Sequence, residues 1–370
     1  MPNLPGMKIS EVISCLESLA PPSLQETYDN AGLITGDPGW DCRGILCTLD
    51  ATEAVIQEAI QKNCNLVVAH HPILFGGLKR INPYHYVGKS IITAVKNDVA
   101  VYAIHTNLDN VIHGVNGRMA GMLGLQQTRI LQEKEQSLKK LITFAPAAHA
   151  EQVRNAVFRA GAGHIGRYSD CSFNTDGTGT FKPGEGADPF SGTIGELHHE
   201  KETRIEVIFP AYLEKKVLAA MKTAHPYEEV AYDIVPLSNT HPGIGSGLVG
   251  DLPEPMEEKD FLERLKTVFN LQVTRHTAFT GKPVKKVALC GGAGSFLISK
   301  ALAAGADVYV SADFKYHEFF EANDRLLIAD IGHYESEQFT INLLQEFLER
   351  KFPTFAVLKT GVNTNPVRYS

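Results

Sequence analysis

The sequence predicts an α/β core interrupted by an inserted ferredoxin-like α+β domain. Residues 1–130 and 243–370 alternate short apolar runs with helical-period segments, which is the pattern of a mostly parallel sheet. Residues 138–238 break that rhythm with the order strand, helix, strand, strand, helix, strand, or βαββαβ. The chain has 370 residues, more than one ordinary core, so a discontinuous core (1–130 and 243–370) with an insert at 138–238 accommodates it.

In chain order, residues 9–19 carry apolar positions at helical spacing and stop before Pro21-Pro22, which predicts an opening amphipathic helix. The segment 28–38 is rich in turn residues and crosses into a short strand. Residues 44–49, 52–61 and 66–69 read as a strand–helix–strand unit. Leu66-Val67-Val68-Ala69 is too short for a helix and apolar throughout, as in a central parallel strand, and Pro72 ends it just after His70-His71. Neighbouring strand residues face opposite sides, so this histidine pair is expected to share a site only where the strand has turned into loop. Further segments are a helix at 87–96, a strand at 99–104 followed by His105-Thr106-Asn107-Leu108-Asp109, and a helix at 114–123. In the insert, strands are expected at 138–144, 168–174, 204–209 and 231–236, with helices at 150–160 and 213–224. Its glycine-rich stretch around Gly177-Thr178-Gly179 and Pro183-Gly184-Glu185-Gly186 is expected to be a long hairpin or loop. Residues 243–247 read as a hinge. After it come helices at 261–268, 296–303, 316–321 and 337–348, and strands at 284–289, 308–310 and 326–329.

Hydrophobic residues make up 44% and charged residues 21%, the balance of a globular protein. A net charge of -7 gives no general attraction to a phosphate backbone, so nucleic acid is not an expected partner. The first eight residues lack the pattern of a signal peptide and no apolar run reaches membrane-spanning length. The expectation is a cytoplasmic chain without a membrane partner. Six cysteines are scattered without a C-x-x-C pair, which suggests neither a disulfide framework nor a zinc ribbon.

Ligands in open α/β sheets sit at the carboxyl ends of strands, and three groups of metal-ligating residues fall there. They are His70-His71, Asp109, and the His333/Glu337 pair, whose spacing of four shares one helix face while Glu335 points elsewhere. Each alone also fits a plain role: a packed histidine beside a solvated one, a turn aspartate, a solvated helix face. Together they exceed what one tetrahedral ion needs and suit two ions roughly 3.5–4 Å apart with a bridging carboxylate.

The motifs Tyr28-Asp29-Asn30-Ala31-Gly32-Leu33, Ala69-His70-His71-Pro72, His105-Thr106-Asn107-Leu108-Asp109, Cys290-Gly291-Gly292-Ala293-Gly294-Ser295, Asp313-Phe314-Lys315-Tyr316-His317-Glu318 and Gly332-His333-Tyr334-Glu335-Ser336-Glu337 occur in order over nearly the whole chain. In this the sequence resembles the GTP cyclohydrolase 1 type 2 homologue family, the Nif-three-like proteins. The resemblance implies a dinuclear metal site with His70 and Asp109 on one ion, His71 and His333 on the other, and Glu337 bridging. It also implies that residues around Gly163-His164-Ile165-Gly166-Arg167-Tyr168 and His225-Pro226-Tyr227-Glu228-Glu229 form an insert similar to PII and CutA proteins. The family further implies a ring-shaped homohexamer. Tyr28 departs from the tryptophan expected of many members, which bears on the pocket rim and not on the ligands.

Two functions from different classes follow as expectations. One is a metal-dependent hydrolase acting on a nucleotide or related small molecule, with zinc favoured over manganese, iron or magnesium. The other is a metal-stabilised regulatory or scaffold protein sensing a small molecule through its insert. Lys315 and His317 are candidate acid/base or substrate-orienting residues, although a surface helix face explains them equally well. His105 is expected either to support a ligand carboxylate or to fill the strand end. Gly291–Ser295 offers weak support for an anion site, and His198-His199 reads as a solvated pair.

Overall fold

The computed structural model describes residues 6–370, which fall into two compact units. One comprises the chain up to Glu133 together with Pro242–Ser370, and the other is Lys134–His241. The first unit carries strands β1 (Gly32–Thr35), β2 (Ile45–Asp50), β3 (Leu66–His71), β4 (Ala100–Ala103) and β5 (Gln126–Glu133). The second carries β6 (Leu138–Pro146), β7 (Phe173–Phe181), β8 (His198–Pro210) and β9 (Tyr232–Pro236). The first unit resumes with β10 (Gly245–Met256), β11 (Arg275–His276), β12 (Val284–Ala293), β13 (Val308–Ala312), β14 (Leu327–Asp330) and β15 (Val357–Lys359).

One sheet of the first unit has the order β1-β4-β3-β2-β15, with β15, β2, β3 and β4 parallel and β1 antiparallel at the edge. Both faces are covered, which is why its strands read as continuous apolar runs. Ile9, Val12 and Leu16 of the first helix and Leu344 and Leu348 of the last pack on Cys47, Val68 and Tyr102. Val55, Ile56 and Ala59 pack from the other side on Leu46, Val67 and Val101. The second sheet has the order β11-β14-β13-β12-β10-β5, with β12, β13 and β14 parallel. Phe261, Leu265 and Phe269 cover one face of it, and Ile298 and Ala301 the other.

Strands β5, β11 and β15 were not among the expected elements, and three expected segments take another form. Residues 243–247 are not a free hinge, because β10 begins at Gly245 and pairs with both β5 and β12. Their glycines serve close approach: a Cβ on Gly245 would lie 2.1 Å from the Gln132 carbonyl oxygen, and Gly247 has φ +63. In the second unit the strand expected at 168–174 runs instead at 173–181, glycines included, and its partner extends to 198–210. An almost fully exposed strand shows no apolar alternation, so β7 is held by its ladder to β8 and left little trace in the sequence. The helix expected to open at 337 is split into His333–Glu337 and Thr340–Lys351.

The second unit is a four-stranded antiparallel sheet in the order β7-β8-β6-β9, with helices Ala150–Arg159 and Glu214–Ala224 on one face. Glu133 at the end of β5 lies across the ladder from Gly245 at the start of β10. The chain ends flanking residues 134–241 therefore lie close to one another in one ladder, and joining them directly needs little chain. Replacing residues 134–241 by a short glycine linker is expected to leave a first unit that melts in one cooperative transition. Loss of that transition in calorimetry would mean that the first unit needs the second in order to fold.

Candidate metal centre

Strand β3 ends in two histidines. It stays in register with β2 through His71, which pairs with Asp50, whereas its pairing with β4 stops at Ala69. The expected turn into loop before the pair is therefore absent, yet the two rings lie 5.0 Å apart at the strand terminus. His70 is fully buried and donates its Nδ1–H to the Ile104 carbonyl at 2.8 Å, so the lone pair of Nε2 faces inward. His71 donates Nδ1–H to Asp50 Oδ1, also at 2.8 Å, and its Nε2 lies 2.9 Å from Glu337 Oε2.

Across the site, Gly332 with φ +87 turns the chain out of β14 into the short helix His333–Glu337. His333 Nδ1–H donates to Asp313 Oδ2 at 2.7 Å, and its Nε2 is 3.1 Å from Glu337 Oε2 and 3.3 Å from His71 Nε2. The other oxygen of the same carboxylate, Oε1, is 3.8 Å from His70 Nε2. Asp109, in the helical turn after β4, places Oδ1 3.7 Å from His70 Nε2. Those last separations are too long for hydrogen bonds, and both His70 Nε2 and Asp109 Oδ1 are buried without a protein partner. All five predicted ligands thus converge, in two groups that share Glu337.

The charges follow from this packing. Burial opposes charge on His71, but Glu337 and the bonds from Asp50 and Glu337 outweigh it and push the imidazolium up to about 10. Burial likewise opposes charge on His333, and Glu337 and Asp313 carry it up to about 11. Burial, then the charge of Glu337, pushes Asp109 up to about 7. Glu337 is itself desolvated, yet the charges of His333 and His71 hold it well below the ordinary carboxylate range. Such a set fits divalent cations: imidazoles oriented through Nδ1 by Asp50, Asp313 and the Ile104 carbonyl, with one buried nitrogen, His70 Nε2, and one buried oxygen, Asp109 Oδ1, lacking partners.

A cavity of 370 Å³ opens over these residues, lined also by Tyr28, Phe75, Phe296 and His105. Tyr28 stands exposed at its rim. His105 donates Nδ1–H to Asp29 Oδ1 at 2.7 Å, so it supports no predicted ligand but is itself oriented by a carboxylate. Burial raises the Asp29 pKa, but the bonds from His105 and Thr106 win and hold it at about 2. Asp29, Asp50 and Asp313 went unrecognised as partners of histidines. Asp50 closes β2, and a strand's carboxyl end was the signal available for it. The amides of Gly291 and Gly292 are already bonded to Asn116 Oδ1 and Ser336 Oγ, which removes them as an anion cradle. Glu335 points away and accepts a bond from Asn365. Lys315 and His317 are exposed, on or beside the turn Tyr316–Ala322, and neither lines the cavity. His198 packs on Phe181 and bonds Glu200 at the start of β8, while His199 is exposed.

Gly292 sits against the centre with φ +64, where a Cβ would lie 2.3 Å from Glu337 Oε1. Gly292→Ala adds left-handed strain of roughly 1–2 kcal/mol and also displaces the carboxylate. The melting temperature of this variant is expected to fall by several degrees, with weakened uptake of divalent ions. Wild-type uptake in this variant would show that Glu337 need not stand where it does.

The family model described as Duf34/NIF3 (NGG1p interacting factor 3) matches residues 7–366. A Halalkalibacterium halodurans protein named GTP cyclohydrolase 1 type 2 homolog is 41% identical, with 98% of this chain and 100% of that protein covered. Its Bacillus subtilis namesake is 40% identical over 97% of this chain and 98% of its own. The crystal structure of a Bacillus cereus protein related to NIF3 superposes with a TM-score of 0.86 at 40% identity, covering 99% of this chain and 100% of that one. A Staphylococcus aureus protein follows at a TM-score of 0.77 and 27% identity, with the same coverage. With motifs, fold and full-length matches in agreement, this chain belongs to the Duf34/NIF3 family.

Proposed function

We propose that the protein is a dinuclear metal hydrolase acting on a nucleotide or a related small molecule. The observation that carries this reading is the division of Glu337, with one oxygen toward His70 and the other toward His71 and His333. One ion would be held by His70, Asp109 and Glu337, the second by His71, His333 and Glu337, with zinc the best match to the imidazole-rich set. Divalent ions held there would supply Lewis acidity toward a carbonyl, imine or phosphoryl group and would lower the pKa of a bound water toward neutrality.

The chain itself supplies position and proton handling. Asp50 and Asp313 fix the tautomers of His71 and His333, so that both Nε2 atoms face Glu337. Asp29 fixes His105, whose Nε2 is left to accept or give a proton at the cavity wall. The exposed rings of Phe75 and Phe296 at the mouth suit a flat base. The relatives' printed name favours a purine nucleotide as the first substrate to test.

The order βαββαβ supports a ferredoxin-like, PII/CutA-like insert that folds as its own domain. Exposed Tyr84, Tyr316 and Phe320 support an assembled state, which we take as a homohexamer. Among the described residues no helix is long and apolar enough to cross a membrane, and the cytoplasm is the proposed location.

Elemental analysis after saturation with zinc should give about two ions per chain, and Glu337→Gln should lose both. A wild-type ratio at or below one, or two ions retained without Glu337, removes the shared-carboxylate reading. Asp50→Asn or Asp313→Asn should lower affinity roughly 10–100-fold. Metal uptake must displace the protons on His71 and His333, whose raised pKa values keep them charged at neutral pH. Calorimetry in buffers of different ionisation enthalpy should therefore register proton release, and affinity should fall with falling pH. Incubating the metal-loaded protein with GTP should open or cleave the nucleotide at a rate absent from Glu337→Gln. If no purine nucleotide turns over while two ions are bound, the regulatory reading takes precedence.

A further inference from the structure

The second unit contains a larger cavity, of 600 Å³, that the metal centre does not use. Its helices pack on one face of the sheet through Leu141, Ile205, Val207 and Phe209. The alternate residues of β8, Glu202 and Arg204, therefore face the opposite side. The ladder sets Gly177 beside Glu202 and Thr175 beside Arg204 on that side. Gly177 forms an open floor, because a Cβ built there meets nothing within 4 Å.

Aromatic rings wall this space. Tyr227 has Phe181 at 5.9 Å and Phe190 at 6.1 Å between centroids, each pair inclined rather than stacked. Tyr227 is held from two sides. Its hydroxyl donates to Glu202 Oε1 at 2.8 Å, and its backbone N–H donates to His225 Nδ1, while His225 donates Nε2–H to the Phe144 carbonyl. Burial lowers the His225 pKa, which keeps the ring in that neutral, bridging tautomer. Glu202, Glu228 and Glu229 line the cavity against Lys182 and Arg204, and Arg204 is already paired with Glu206 at 2.9 Å. The lining is thus aromatic with a surplus of carboxylate, an arrangement that attracts cations through both ring faces and charge.

We propose that this cavity is a binding site for a small organic cation of the substituted-ammonium class. The ammonium head lies among Tyr227, Phe181 and Phe190 beside Glu202, and its apolar body lies over Gly177. The volume falls within the range of small-molecule sites, roughly 300–1,000 Å³. This inference is independent of the metals and stands or falls separately from the hydrolase reading.

The test is a calorimetric or saturation-transfer NMR titration of the full-length protein with choline and with its neutral isostere, 3,3-dimethyl-1-butanol. Choline is expected to bind saturably and at least about fivefold more tightly than the alcohol. Gly177→Val, a substitution a strand favours, should fill the floor and abolish binding while leaving the melting temperature within a few degrees of wild type. Glu202→Gln should weaken choline and leave the alcohol unchanged, and it serves if the valine variant does not fold. Equal binding of alcohol and cation, choline binding unchanged by both variants, or no saturable signal up to about 50 mM choline would each overturn the proposal.

Discussion

A carboxylate with 3% of its side chain exposed, set among three imidazoles, is the constraint around which the first unit is built. An ionised carboxyl taken out of water is strongly unfavourable unless countercharge and hydrogen-bond donors come with it. Glu337 has these only because His71 on a strand of one sheet and His333 just past a strand of the other approach Oε2, while Oε1 is directed toward His70. His71 arrives on β3 and His333 just beyond β14, so neither sheet alone could compensate the charge. Asp50, Asp313 and Asp29 then tie three imidazoles by Nδ1, which converts a cluster of mobile rings into one with fixed tautomers.

That arrangement explains features that would otherwise be liabilities. His70 Nε2 and Asp109 Oδ1 are buried and unbonded, a state that proteins avoid unless a water or an ion belongs there. Gly292 adopts a left-handed conformation where a side chain would strike Glu337 Oε1. Ser336 accepts the Gly292 amide and donates to the His333 carbonyl, tying the end of β12 to the helix that carries Glu337. Glycine placement and unpartnered ligand atoms both serve one small volume.

Much of this was legible in the sequence because parallel strands buried on both faces announce themselves as apolar runs, and their carboxyl ends mark the site. His70, His71, Asp109, His333 and Glu337 could be named from that rule and from the family resemblance. The outer aspartates could not, since an aspartate ending a strand, as Asp50 does, looks like any turn residue until its partner's distance is known. Strand β7 was misplaced for the opposite reason: exposed on both faces and dotted with glycines, it lacks the alternation from which strands are recognised. Likewise Gly243–Gly247 has the composition of a hinge but the role of a closely packed strand start, because glycine permits flexibility and close approach alike.

The central claim is that Glu337 stands between two cation positions. Anomalous diffraction from zinc-loaded crystals, recorded on both sides of the zinc absorption edge, tests it most directly. The account predicts two peaks separated by roughly 3.5–4 Å, one beside His70 and Asp109, the other beside His71 and His333, with the Glu337 carboxylate between them. A single peak, or two peaks with Glu337 on one side of both, would contradict it.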